Sequence, residues 1–378
     1  MVTMAAVGNK VREARQAAAL SQAEVADRMG IDRTSLSRIE SGERSISATE
    51  IAGLSQVLGR SISFFLGDAE PSRDMLLRAE NVRPVDHATL GAFLDHCADY
   101  ASLEQLLYGE VTFGLPSYIT RPGRRAIDQG EELAREERRR LGLGDAPVHD
   151  IYGVIEEQGV KIYASPAPDS ELMGAFYVSP DLGPCIYINL GVAGGRANFT
   201  AAHEYCHFLV DRELIGGYAC VLPDRSGSKP PHEIRANSFA ASFLMPREGV
   251  QLLIERYGVD GPEDVVYLQR HFGASYEAVL WRLLDLRLIS EVKRQHLLTT
   301  KRAVISRAFG EADGVDCSEE RDALAGGQGR RFRQLAMEAF RKGKISGGKF
   351  AELLQLSRDE ARQLIAELTE QPIVVSRH

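Results

Sequence analysis

The sequence predicts an α+β protein that is predominantly helical. It has a five-helix N-terminal domain, a middle domain in which a small sheet meets a motif-bearing helix, and a C-terminal helical region. Three observations lead there. Apolar residues recur at helical spacing through most of the 378 residues. Only three short runs, all between positions 160 and 189, read as strands. The length itself points to two or three domains rather than one. With 44% hydrophobic and 26% charged residues, wholesale disorder is excluded. No run of about eighteen apolar residues occurs, and the first residues lack the apolar core of a secretory signal. A soluble, cytoplasmic protein without a membrane partner is therefore expected. The cysteines, at positions 97, 185, 206, 220 and 317, are odd in number and have no CxxC spacing. That argues against both a disulfide framework and a cysteine zinc site. The net charge of -8 excludes a generally basic nucleic-acid coat.

The N-terminal helices follow from their caps. Lys10–Ala19 is the first. Ser21 with Glu24 forms a capping box for Gln22–Met29, which Gly30 closes. Asp32 starts Arg33–Glu40, closed by Gly42. Ser47 starts a helix that runs to Leu58, and Ser61–Leu66 makes a last turn. Val25, Met29, Ile31, Leu36, Ile39, Ile51, Leu54 and Leu58 supply the apolar face. Residues 69–125 read as a connector with two helical pieces, Ala88–Cys97 and Leu103–Leu107, and a Gly/Pro-punctuated run, Gly109–Gly123.

From position 126 the pattern sharpens. Ala126–Leu141 is a charged helix (EELAREERRRL), best read as a solvated face with spaced ion pairs rather than an anion-binding patch. Val148–Gln158 is a second helix. Val160–Ala164, Met173–Val178 and Cys185–Asn189 are strands. Helices Asn198–Val210 and His232–Leu244 flank a Gly/Ser/Pro-rich loop, 216–231, and more helices follow to about 312. After a Gly-rich break come Phe332–Lys342 and Gly347–Thr369. The predicted domains are 9–68, 69–125, 126–250, 251–315 and 330–370.

The chemistry-bearing signal is His203-Glu204-Tyr205-Cys206-His207, an HExxH. Two histidines four apart sit one helical turn apart and can reach a single ion. Phe199, His203, Cys206 and Val210 share a face, so the imidazoles lie on the apolar side, where they need a compensating partner. A catalytic zinc takes three protein ligands and keeps a fourth position open. The third ligand is sought among Asp211, Glu213, His232 and Glu233. Asp211 and Glu213 are expected at an exposed, frayed helix end. His232 and Glu233 lie on opposite sides of the next helix's apolar stripe, and the wheel does not choose between them. Glu204 suits a general base, taking a proton from the attacking water and returning it to a leaving amine.

FTAAHEYCHFLVDRE followed by HEIRANSFAASFLMP resembles the ImmA/IrrE metallopeptidase family, over about residues 126–248. The resemblance implies a zincin-like domain with Zn2+, or another divalent transition metal, held by His203, His207 and Glu233, and with Glu204 as catalytic base. It leaves His232 outside the pattern. Tyr205-Cys206 stands where the family often has Leu-Gly, and Arg235 where a second acid is common. Neither change is expected to touch the ligands or the base. Cys206 reads as a small buried filler.

SQAEVADRMGIDRTSLSRIESGERSI resembles the Cro/C1-type (XRE) helix-turn-helix family, with the match covering 9–66. The resemblance implies that Arg33–Glu40 enters the major groove of double-stranded operator DNA. Arg33, Thr34, Ser37 and Arg38 would face it, and Gln22 would clamp a phosphate. Residues 1–68 hold eight Lys/Arg and eight Asp/Glu. Tight binding then needs base contacts or a homodimer.

The helical run HFGASYEAVLWRLLDLRLIS (271–290) resembles the bundle that follows the peptidase, with Trp281 in its core. Two functions are expected from these parts. One is a DNA-binding regulator with a zinc endopeptidase that cuts a partner, a helix-turn-helix repressor or a toxin–antitoxin protein. The alternative is a regulator or antitoxin that uses the peptidase fold only to sense or dock a partner.

Overall fold

A computed structural model describes residues 4–18, 20–58, 60, 64–65, 84–109, 115–120, 123–167, 172–179, 181–192, 194–212, 217–221, 230–299 and 328–370. Four helices open the chain: α1 (Met4–Ala17), α2 (Gln22–Met29), α3 (Arg33–Glu40) and α4 (Ala48–Leu58). The predicted caps form. Ser21 Oγ accepts from the Glu24 amide while Glu24 returns the bond, and Gly30 ends α2 at φ 66°, a left-handed turn that glycine adopts without strain. Asp32 caps α3. Val11, Val25, Leu36, Ile39, Ile51, Leu54 and Phe65 form one core. Of the predicted fifth turn, only Phe64 and Phe65 lie inside the described residues, and both are helical.

The two helical pieces read in the connector are one continuous helix, α5 (Pro84–Tyr108). Its apolar residues serve different partners along its length, so no single stripe runs through the sequence. Leu90, Phe93, Leu94 and Cys97 pack on the sheet. Tyr100 and Leu103 pack on the C-terminal helices. Buried Arg60 meets Asp95 of α5 at 3.2 Å, which ties the N-terminal domain to this helix.

Next come α6 (Ala126–Arg140) and α7 (Ile151–Glu157). Among the described residues the sheet has four strands, β1 (Lys161–Ser165), β2 (Leu172–Ser179), β3 (Gly183–Asn189) and β4 (Gly217–Val221), in the order β1-β3-β2-β4. The β1–β3 pair is parallel, and the β2–β3 and β2–β4 pairs are antiparallel. β4 falls in the stretch read as a loop; five residues beside Gly216 and Pro223 are too few to display a β pattern. Both faces of the sheet are covered. Ile162, Phe176, Ile186 and Ile188 enter the main core, and Ala175, Tyr177, Cys185 and Tyr187 face α5.

Helix α8 (Gly194–Val210) lies against β2 and β3, and α9 (Pro231–Leu244) packs between α8 and α6. Helices α10 (Arg247–Tyr257), α11 (Pro262–Phe272), α12 (Tyr276–Asp285) and α13 (Glu291–Thr299) follow. The helix predicted to reach 312 lies beyond the described residues past 299. Trp281 is not a core residue: it is 46% exposed, with the Arg294 guanidinium 4.0 Å over its ring. At α12 its neighbours Leu280 and Leu283 face inward and Trp281 points the other way.

The C-terminal pair is three helices: α14 (Arg330–Arg341), α15 (Gly347–Leu353) and α16 (Arg358–Glu370). The break at Gln355 (φ 55°) precedes a Ser357–Glu360 capping box, a signal present in the sequence as SRDE. Phe332, Leu335, Phe350 and Leu353 bury against α5. Lys161 and Arg331 both pair with buried Glu104 at 2.8 Å. Among the described residues, no helix is long and apolar enough to cross a membrane.

Candidate functional site

Helix α8 is set in place from outside. Tyr205, within the HExxH, donates to buried Glu137 of α6 at 2.6 Å, and Glu137 also holds Arg140 and Tyr118. That explains a tyrosine at this position: its hydroxyl anchors α8 to α6. Cys206 is fully buried, and burial pushes its thiol well up. It is a filler, not a reactive group.

The fold brings three of the sequence-selected residues together. His203 Nε2 and His207 Nε2 lie 3.1 Å apart. Glu233 of α9 reaches both, Oε2 at 3.4 Å from His203 and Oε1 at 3.3 Å from His207. Donor atoms bound tetrahedrally to a zinc at about 2.0–2.1 Å sit about 3.3 Å apart. The three measured separations bracket that value, so the donor set fits one divalent ion. Two imidazoles and a carboxylate are also the chemistry such an ion prefers. His232 lies beside the group, its Nε2 3.9 Å from Glu233 Oε1 and its side chain 32% exposed. Glu213, another of the sequence candidates, lies outside the described residues.

The surrounding charges favour a cation. Burial pushes His203 below the usual histidine range. Burial opposes the charge on His207 too, but bonds with Asp211 and Glu233 outweigh it and lift the group to about 9. Burial would raise Glu233, yet the two histidines hold it well below the usual carboxylate range.

Three residues have supporting roles that the sequence reading did not assign to them. Asp211 is buried rather than frayed, and its Oδ2 lies 2.9 Å from His207 Nδ1. With Nδ1 bound to a carboxylate, Nε2 presents its lone pair to the ion. Arg235 pairs with Asp211 Oδ1 from α9. The arginine that stands where the family often has an acid touches no ligand itself, but it holds Asp211, which holds His207. The spacing Asp211 = His207 + 4, one helical turn on, was the available signal. Asn237, one turn beyond Glu233, hydrogen-bonds His203.

Glu204 is fully buried beside β2. A Cβ at Gly174 would stand 2.8 Å from Glu204 Oε1 and 2.6 Å from Thr200 Cγ2. Only glycine lets the strand approach this carboxylate so closely.

In the N-terminal domain Arg33, Thr34, Ser37 and Arg38 are all exposed on one side of α3. Gln22 is half-buried, and its Nε2 donates to Glu40 Oε2 at 2.9 Å. Glu40 is 1% exposed and also accepts from Arg15 at 2.5 and 3.0 Å.

Two family models match parts of the chain. Residues 11–65 match the family model of the helix-turn-helix, and residues 155–284 that of the IrrE N-terminal-like domain. The second match runs on through α10, α11 and most of α12. No curated protein matches. Among solved structures, ComR from Streptococcus suis is similar at 12% identity over 98% of this chain and 92% of that one. Its TM-score of 0.17 supports no conclusion about the fold. The chain thus resembles the helix-turn-helix over residues 11–65 and the IrrE N-terminal-like domain over residues 155–284.

Proposed function

We propose that this chain is a cytoplasmic, DNA-binding regulator whose IrrE-like domain is a zinc-dependent endopeptidase. Its substrate is a partner protein, a helix-turn-helix repressor or a toxin–antitoxin partner. The observation that carries the reading is the convergence of His203 Nε2, His207 Nε2 and Glu233 on one point, with Glu204 next to His203 on the same helix. His203, His207 and Glu233 would hold the metal. When bound, zinc supplies a Lewis acid and makes water acidic enough to attack at neutral pH. Glu204 would take a proton from the attacking water on its carboxylate and deliver it to the leaving amine. Asp211 keeps Nδ1 of His207 protonated and its Nε2 directed inward. Arg33, Thr34, Ser37 and Arg38 read operator DNA, with Gln22 at a phosphate, and a homodimer supplies the affinity that a charge-neutral domain lacks.

The test is co-expression of wild type and Glu204→Gln with proteins encoded beside the gene, followed by mass spectrometry. Wild type should give fragments, and Glu204→Gln should bind zinc stoichiometrically and cut about 10²–10⁴-fold more slowly. Absence of stoichiometric zinc, or identical behaviour of the two proteins, overturns the reading. One observation favours a second reading, in which the peptidase fold docks a partner and is latent. Glu204 and His207 have no exposed surface, so a peptide reaches them only after rearrangement. Under that reading Arg33→Ala with Arg38→Ala abolishes operator binding, while Glu204→Gln leaves repression intact.

A further inference from the structure

The charged helix α6, expected to be a plain solvated face, lines a cleft on the far part of the same domain. The cleft encloses about 360 Å3 between α6, the C-terminal end of α9, the start of α10 and α12. That is the size of a small-molecule site. Five arginines line it, Arg135, Arg138, Arg139, Arg247 and Arg282, against three acids, Glu131, Asp145 and Glu248.

Two of the five are committed elsewhere. Arg138 donates to three backbone carbonyls, those of Gly144, Ala146 and Phe243. Arg247 forms a two-bond pair with Glu131 at 3.0 and 3.2 Å. Arg135 and Arg139 are not, and Arg282 is committed only in part. Arg135 and Arg139 are exposed and make no ion pair with any described residue. They lie one helical turn apart, a like-charge arrangement that costs free energy unless an anion lies between them. Arg282 is 4% exposed; its Nε is bonded to the Met245 carbonyl at 2.9 Å, but Nη2 has no hydrogen-bond partner, and Glu131 stands 3.9 Å away. Ser242 is also 4% exposed, and its Oγ has no partner either. Two buried donors left unsatisfied at the wall of one basic cleft are expensive in a folded chain. The cleft also takes in the N-terminus of the eleven-residue α10, which has no side-chain cap and adds partial positive charge.

We infer that this cleft is a binding site for the phosphate group of a small phosphorylated molecule. With a small outward shift of the two buried donors, the phosphate oxygens would accept from Arg282 Nη2, Ser242 Oγ and the α10 amides, and Arg135 and Arg139 would close over them from α6. A guanidinium fork suits phosphate geometry. Ser242 lies nine residues after Glu233 on α9, about 14 Å along its axis. A ligand here therefore touches the helix that carries the third carboxylate without entering the metal centre.

The test titrates the whole 378-residue chain with inorganic phosphate and with adenosine monophosphate, at constant ionic strength set by sodium chloride. Calorimetry is the readout, along with fluorescence of the single tryptophan, Trp281, adjacent to Arg282. Saturable binding is expected, weakened at least tenfold in Arg135→Ala/Arg139→Ala, whose changes are on the surface. Ser242→Ala, a smaller change at the wall, should weaken it severalfold. The inference is overturned if neither probe gives more than the chloride blank, or if the double variant binds as wild type does. It is overturned equally if duplex DNA, but neither small probe, depends on Arg135 and Arg139, because the cleft would then bind the DNA backbone.

Discussion

The helix-turn-helix domain and the candidate metal centre are each built around a buried carboxylate held by an arginine, and they use it in opposite ways. Glu40, 1% exposed, accepts from Arg15 of α1 and from Gln22 of α2. It pins three helices together and takes up one amide hydrogen of a residue with a candidate role at DNA. Asp211, 2% exposed, accepts from Arg235 of α9 and from His207 Nδ1. It takes the one ring nitrogen the ion cannot use and leaves the other aimed at the site. A buried acid serves architecture when it absorbs its neighbour's donor, and chemistry when it fixes a neighbour that has a second functional atom. The exposed face of α3, the proposed recognition surface, needs no such help. Its residues are exposed, and the rigid domain beneath them sets their direction.

The largest expected effect separates the two acids by stability. Glu40→Ala leaves Arg15, largely buried, without its partner and should cost about 3 kcal/mol. The loss should appear in residues 4–58, as faster amide exchange there, while α8 and α9 keep their protection. If exchange rises equally in both regions, the two acids are parts of one cooperative unit and the contrast fails. The same acid sets a pH dependence. Burial would raise the Glu40 carboxyl, but Arg15 and Gln22 hold it below its ordinary value. A carboxylate so lowered stabilises the fold above its unfolded value, 4.5, and that stability is lost as pH falls through the lower folded value. Glu40→Gln should flatten this acid limb of the reader's melting curve.

Asp211→Asn comes next and should spare the fold. The amide keeps a hydrogen-bonding group beside His207 but no longer favours the Nδ1-protonated ring, so zinc affinity should drop ten- to a hundredfold, about 1.4–2.7 kcal/mol. Competition with a chromophoric chelator measures it. An unchanged affinity would make Asp211 as architectural as Glu40.

How much of this was legible in the sequence follows the same contrast. Periodic helices with capping residues were readable because both signals are local: α2 and α3 begin and end where Ser21, Gly30 and Asp32 place them. The HExxH pair could be picked out because its spacing is local, whereas Glu233 was separated from His232 only by the resemblance of HEIRANSFAASFLMP to a known family. What stayed hidden depends on partners distant in sequence. Asp211 looked frayed because its burial comes from α9, across a connection of twenty residues. Gly174 looked like an ordinary strand residue because the carboxylate it accommodates is on another element. α5 looked like fragments because its apolar face turns from the sheet to α14 along its length. The arginines of α6 looked solvated because the unsatisfied donors opposite them, Ser242 and Arg282, lie about a hundred residues and more downstream.

The smallest effect tests the comparison most directly. Gln22 has two amide hydrogens on Nε2, and one is on Glu40. If holding Glu40 is its whole task, Gln22→Ala removes one hydrogen bond to a carboxylate that keeps both bonds to Arg15. Stability then falls by about 1 kcal/mol, and operator affinity, measured well below the melting transition, stays at the wild-type value. If the second hydrogen meets a DNA phosphate, affinity drops as well, and by the same factor for operator and for unrelated duplexes, because a phosphate carries no sequence. Arg33→Ala supplies the internal standard. Removing a guanidinium that reads a base edge should cost about 1–3 kcal/mol on the operator and little on unrelated DNA. Equal effects on both duplexes for Gln22→Ala, beside unequal effects for Arg33→Ala, would show that one amide serves the buried acid and the phosphate together. The line between architectural and chemical acids would then run between the two hydrogens of a single nitrogen rather than between two regions of the chain.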